Sequence, residues 1–334
     1  MTQVGAVGHR RWPLVVLAVI GIGLILAPVA FGMFTKAPDG ASMMTSFSPF
    51  MTTHRLDGFQ TDMGDVGNAV AQGQRAIRNT DRTAAGSRIV AHIAPPFHAF
   101  ARQWRAVNSD MGGMLVKIKA NLPNYQAMAA LPSFRLFPWF FLIPGTILLI
   151  LAGAGLVRAG AWRALRWVAV VLGVALVLAP VGFQMFSRAP KGAQMMSTFK
   201  TIETRHHLRR IQSYFSDMAV GQGLVQLDLL PALRRADLSA AQIQARYPAL
   251  NTLDVNWVHI LNDMTPMIAA MSNNIGNYQA ISSLPSFQLF PRFFVFPGVI
   301  VIVFALLGDR PRRGRGVADR ERANVLNPVN QGVT

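Results

Sequence analysis

Apolar residues gather into four long runs, 13–34, 139–157, 167–186 and 293–308, and none has a charged residue in its interior. About 20 such residues in a helix cross a ~30 Å hydrocarbon core, so each run predicts a membrane span, the last of them short. Between the runs the pattern changes to helical periodicity. Phe59, Met63, Val66 and Val70 recur at helical spacing, as do Leu208, Ile211, Phe215 and Met218. Each set is one stripe of an amphipathic helix. A short helix is expected after each, with Asp81 and Asp237 as N-caps. Pro95-Pro96 and Pro248 then mark the start of a third helix, carrying Trp104 and Trp257. Alternating β patterns are absent. The expected fold is an all-α integral membrane protein with a three-helix domain after the first span and another after the third.

The chain also repeats itself. Residues 27–47, APVAFGMFTKAPDGASMMTSF, agree with 179–199, APVGFQMFSRAPKGAQMMSTF, at 13 of 21 positions and an offset of 152. Residues 124–145, NYQAMAALPSFRLFPWFFLIPG, agree with 277–298, NYQAISSLPSFQLFPRFFVFPG, at 15 of 22 and an offset of 153. Between these blocks Trp104, Asp110, Met111 and Met114 match Trp257, Asp263, Met264 and Met267. Two tandem repeats follow. Repeat 1 covers 13–157 (span 13–34, outside domain 35–138, span 139–157), and repeat 2 covers 167–308 (span 167–186, outside domain 187–292, span 293–308). An even number of spans inserts both copies the same way up, with a pseudo-two-fold axis along the membrane normal, as in parallel-repeat transporters.

Charge sets the orientation. Hydrophobic residues are 51% and charged residues 14% of the chain, against roughly 25% charged in soluble domains. The balance is 32 Lys+Arg against 15 Asp+Glu, a formal charge of +17. Such a basic chain suits nucleic acid or anionic lipid; four spans favour lipid, and no nucleic-acid partner is expected. Arg10 and Arg11, then Arg158, Arg163 and Arg166, then six Arg from Arg310 to Arg322 flank the same ends of the spans. The positive-inside rule makes 1–12, 158–166 and the basic, disordered tail 309–334 cytoplasmic, with both domains outside. The first run exceeds the ~7–15 residues of a signal-peptide core, and its end is nearly copied in the third run, so it reads as an uncleaved anchor. Abundant Arg, Ala and Gly suggest a bacterium, hence its inner membrane.

With no Cys there is no disulfide, zinc thiolate, iron–sulfur cluster or cysteine nucleophile. No nucleophile–base pair, phosphate loop or metal-ligand spacing is visible, so neither enzyme activity nor a cofactor is expected. Met-x-x-Met occurs at Met111/Met114 and at Met264/Met267. Thioethers suit Cu(I), yet methionine at helical spacing fills irregular cores, and core filling is the preferred reading. Asp110 and Asp263 are read as structural ion-pair partners, of each other or of an Arg in their own domain.

Pro28, Pro144, Pro180 and Pro297 lie toward the outer ends of the spans, where they predict kinks. Splayed outer halves would open an apolar crevice walled by Phe31, Met33, Phe183, Met185, Phe140 and Phe293. Lys36 and Arg188 at its rim would meet an anionic headgroup. The plainer alternative is that neighbouring helices absorb the prolines. Pro38-Asp39-Gly40 and Pro190-Lys191-Gly192 read as turns beyond spans one and three, and Gly21/Gly173 with Ala27/Ala179 as close helix contacts. The tail Arg310-Pro311-Arg312-Arg313-Gly314-Arg315 should attract anionic lipid. The expected function is a non-enzymatic cell-envelope membrane protein, either binding lipid or another apolar ligand, or serving an envelope protein partner as accessory or scaffold subunit. A transporter or channel is the alternative, weakened by spans without ionisable residues.

Overall fold

The computed structural model describes residues 12–157 and 162–307, and every regular element among them is helical. The first half runs α1 (Trp12–Ala30), α2 (Met33–Phe47), α3 (Thr53–Thr80), α4 (Ala84–Val90), α5 (Ala94–Ala120), α6 (Leu122–Ala129) and α7 (Phe137–Val157). The second runs α8 (Trp162–Gly182), α9 (Met185–Phe199), α10 (Arg205–Gly223), α11 (Leu230–Arg235), α12 (Ala240–Arg246), α13 (Pro248–Ser282) and α14 (Phe290–Leu307). A π-helical turn, Leu224–Leu229, joins α10 to α11.

Four helical stretches are long and apolar enough to span a membrane: Trp12–Ala30, Phe134–Val157, Ala164–Gly182 and Phe287–Leu307. The last reaches 21 residues because the helix starts ahead of the apolar run. Pro28, Pro144, Pro180 and Pro297 all lie inside their helices. Arg10, Arg11, Arg158 and the tail arginines fall outside the described residues.

The chain forms two compact units. In the unit holding 139–182 and the outer ends of the chain, close backbone approach decides which helices pair. A methyl group on Gly21 of α1 would stand 2.9 Å from the Gly145 carbonyl of α7, and one on Gly173 of α8 would stand 2.9 Å from that of Gly298 in α14. Only glycine allows such contact, as expected of small residues between spans. Ala27 and Ala179 are half-buried. Phe141 and Phe294, with ring centroids 4.7 Å apart, join α7 to α14.

The second unit, Val29–Pro138 with Phe183–Pro291, is a helical body. It departs from three helices per domain: α2 to α6 supply five and α9 to α13 five more. The additional helices α2 and α9 contain Pro38-Asp39-Gly40 and Pro190-Lys191-Gly192. The turns come earlier instead, at Gly32 (φ 63°) and Gln184 (φ 54°), both left-handed. Tertiary packing overrides the Pro-Gly signal. α2 lies along α13, with Gly40 against Ile281, and α9 lies against α6, with Gly192 under Met128. Each half thus packs its entry helix on the other half's last helix.

The short helices also start two residues later than expected. Thr83 caps α4 by accepting from the Gly86 N–H at 3.0 Å, and Ser239 caps α12 in a capping box with Gln242. Asp81 ends α3 instead, and Asp237 takes φ 62°. The stripe Phe59, Met63, Val66 and Val70 is buried in full; in the second stripe Phe215 is half-buried. Gly73 on α3 makes room for the Phe97 ring and Gly221 on α10 for that of Phe100, which seats α5 between them. Gln72 of α3 accepts from the Ala249 N–H at 2.7 Å, capping the start of α13.

Candidate functional site

The helical body holds a chamber where the two halves meet. Met43, Met44 and Phe47 reach it from α2, and Met51 from the following turn. Met195, Met196 and Phe199 reach it from α9, and Glu203 from the turn before α10. Tyr125 of α6 and Tyr278 of α13 complete the wall. The offsets of 152 and 153 pair these residues as 43/195, 44/196, 47/199, 51/203 and 125/278. Four pairs are identical. The fifth sets methionine against glutamate. The Phe47 and Phe199 rings lie 6.5 Å apart. The space is small and its open surface is apolar, which is no setting for a bound water.

Every polar atom of the chamber except two has a partner. The Tyr125 hydroxyl donates to the Met44 carbonyl at 2.7 Å, and the Tyr278 hydroxyl to the Met196 carbonyl at 2.8 Å. These bonds tie α6 to α2 and α13 to α9, each within its own half. Glu203 is 3% exposed, and neither carboxylate oxygen has a hydrogen-bond partner. Burial alone pushes its carboxyl up to about 8. A lone carboxylate out of water favours its neutral form. Burial raises both tyrosines too, and the Glu203 charge adds to the effect at Tyr278.

A second apolar gap adjoins the chamber across Phe47, Met51 and Phe199 and reaches Met267 and Met271. Met111, Met114, Met264 and Met267 are themselves buried core side chains, as their spacing predicts.

The paired aspartates find partners across the halves. Asp110 of α5 accepts from the Tyr214 hydroxyl at 2.9 Å and faces Arg210 at 3.9 Å, both on α10. Asp263 of α13 meets Arg55 of α3 at 3.2 Å and His259 at 3.6 Å. Neither bonds the other or an Arg of its own half, so that part of the expectation is corrected: α5 packs on α10 and α3 on α13, placing the arginines opposite. Where Tyr214 serves Asp110, the matched residue is Asp62, buried beside Asp263. Burial first, then the Asp263 charge, raises Asp62 above the usual carboxylate range.

The residues named for a crevice fall in both units. Phe140 and Phe293 are half-buried on α7 and α14. Phe31 and Phe183 sit in the turns before α2 and α9, 38% and 37% exposed, while Met33 and Met185 are buried where those helices begin. Lys36 folds over Gly32. Arg188 donates through Nη1 to the Ala130 carbonyl at 2.8 Å, a staple from α9 to the end of α6. Sequence reasoning missed the chamber although Met43-Met44 and Met195-Met196 lie inside the duplicated block. Carrying that alignment four residues further sets Met51 against Glu203, a change of apolar for acidic that marks the spot.

Among the described residues no group of three or more His, Asp or Glu is placed to hold a metal ion. Set against known proteins, the chain matches no family model and no curated protein.

Proposed function

We propose that this is a non-enzymatic membrane protein of a bacterial cell envelope, built from two tandem repeats with both termini cytoplasmic, whose outside helical body binds a ligand between its halves. The observation that carries the reading is the chamber: five matched pairs of side chains close on one space and leave a buried carboxylate without a partner. A body serving only as a spacer has no reason to retain that cost, since an unpaired buried carboxylate destabilises a fold. Lipid is the second ligand. Phe31, Phe34, Phe183 and Phe186 are exposed at the entrances to α2 and α9, directly after the spans in sequence, and suit acyl chains and the interface. Lys36 beside them and the arginine tail supply charge for anionic headgroups.

Native mass spectrometry of the full chain in nanodiscs tests this. Retained lipid or a small bound species supports a binding protein. A bare chain that conducts ions in liposomes instead favours the transporter or channel. Topology is tested separately, by impermeant maleimide on intact cells: Ser87→Cys and Ser213→Cys should label and Thr334→Cys should not.

A further inference from the structure

Charge is spread unevenly over the helical body. Its 219 residues hold 20 Lys and Arg against 12 Asp and Glu, a net of +8. Half of that excess lies in residues 75–88 and 228–246, which together hold seven Arg against three Asp. The fold gathers these two stretches at one end. α3 packs on α4 and α4 on α11, while α12 packs on α13. Asn79 Nδ2 donates to the Tyr247 hydroxyl at 3.0 Å, which brings their sequence neighbours Arg78 and Arg246 to one junction of the halves. All seven arginines are exposed, and among the described residues none of them forms an ion pair. Arg75 alone has a hydrogen bond, to the Ala71 carbonyl of its own helix. Arg78, Arg88, Arg234, Arg235 and Arg246 stand in the last turns of their helices, where a cation offsets the dipole. That accounts for a cation at each helix end. It does not account for the shortage of acids around them, since gathered like charges repel.

The surroundings narrow the partner. No exposed large apolar side chain lies in either stretch, and Leu227 only borders the second. A protein interface sets an apolar core inside a polar rim, whereas this surface is charged throughout. Neither stretch contains an aromatic residue, and the adjoining Tyr247 is buried, so nothing offers the stacking platform of a single-strand nucleic-acid site. Nothing apolar is there to enter a bilayer. An extended polymer charged at every repeat needs none of these features, and guanidinium forks match phosphate oxygens two at a time. We propose that this arginine end docks a polymer of repeating phosphate groups, held by Arg78, Arg82, Arg88, Arg234, Arg235 and Arg246. With the body outside, the polymer is one of the cell envelope. The site is separate from the chamber, so either can fail without the other.

The test uses the full chain in phosphatidylcholine nanodiscs, with an environment-sensitive dye on Ser87→Cys, beside Arg88, or on Ser213→Cys as the control. Long-chain inorganic polyphosphate should give a saturable response at Ser87 and none at Ser213. Affinity should fall by about a hundredfold or more between about 50 and about 200 mM salt, as counterion release by several cations requires. Replacing Arg78, Arg82, Arg234 and Arg235 together by Gln should weaken binding at least tenfold while the melting temperature holds. Arg205→Gln with Arg209→Gln, at the start of α10, should leave it unchanged. Polyglutamate of equal charge should bind at least tenfold more weakly, and phosphatidylglycerol vesicles should not displace the polymer. No response at Ser87, or a response indifferent to the four arginines, would overturn the proposal. Polyglutamate binding as tightly would overturn it in favour of an acidic protein, and displacement by the vesicles in favour of a membrane surface.

Discussion

Met51 and Glu203 stand at matched positions on opposite sides of one chamber, in surroundings that are otherwise paired residue for residue. Methionine needs nothing from its neighbours beyond contact. Glutamate in the same apolar setting loses its water, finds no donor and holds its proton into mildly alkaline pH. A similar contrast recurs at the other matched site, where Tyr214 gives Asp110 a hydrogen bond and Asp62 gives Asp263 only a neighbouring acid. The chamber differs between the halves in one ionisable group, and the aspartate site in several: Tyr214 matches Asp62, Arg210 matches Gly58 and Arg55 matches His207. At the chamber the internal similarity of the sequence pairs the walls, and Glu203 is the lining residue that departs from it.

Making the two halves more acidic should have the largest effect. Met51→Glu puts a second carboxyl into the chamber, where like charge and lost solvation add. Destabilisation beyond about 5 kcal/mol is expected near neutral pH, partly recovered at pH 5, and visible as loss of the folded species in size-exclusion chromatography. If the melting temperature is unchanged, the chamber is wetter than its lining implies.

Making the halves alike by Glu203→Met should remove a pH dependence. The carboxyl titrates near 8 when folded against 4.5 for an ordinary glutamate, so the folded state holds the proton more tightly. Wild-type stability from this group is complete below about pH 4.5, falls by about 1.4 kcal/mol per pH unit through the window, and levels off above about 8. Thermal melts from pH 5 to 8.5 should fall for the wild type and run flat for the variant. A parallel decline in both would show that Glu203 is solvated.

Asp62→Asn should stabilise the body by about 1 kcal/mol near neutral pH, because it removes the second acid beside Asp263. Tyr214→Phe at the matched position should do the opposite by a similar amount, through the lost bond to Asp110. Opposite signs in paired melts would sharpen the contrast, and equal signs would remove it. The smallest difference lies between Arg188 and Lys36. Arg188→Ala should cost about 0.5–1.5 kcal/mol through the bond to Ala130, and Lys36→Ala less than about 0.5 kcal/mol.

Much of the fold was legible because its signals are local. The apolar runs gave the four helices long and apolar enough to span a membrane, and the Phe59 and Leu208 stripes gave α3 and α10. Pro95-Pro96 and Pro248 gave the starts of α5 and α13. The misreadings share a cause. Pro38-Gly40 and Pro190-Gly192 look like turns until α13 and α6 are set against them, and their packing keeps both segments helical. Asp81 and Asp237 are plausible caps, but Thr83 and Ser239 stand nearer the helices that form and bond their free N–H groups.

Periodicity and composition act along the chain, so the sequence by itself determined that these segments are helices, that four of them are long and apolar enough to enter a membrane, and that two blocks of residues each recur. Partnership acts across it. Only the tertiary structure decided that α2 lies on α13 and α9 on α6, that Arg55 faces Asp263, and that Met43, Met44, Met195 and Met196 line one gap with Glu203. A carboxylate's cost depends on the water that its neighbours exclude. Those neighbours lie as far as 160 positions away in the chain, from Met43 to Glu203, and only folding brings them together.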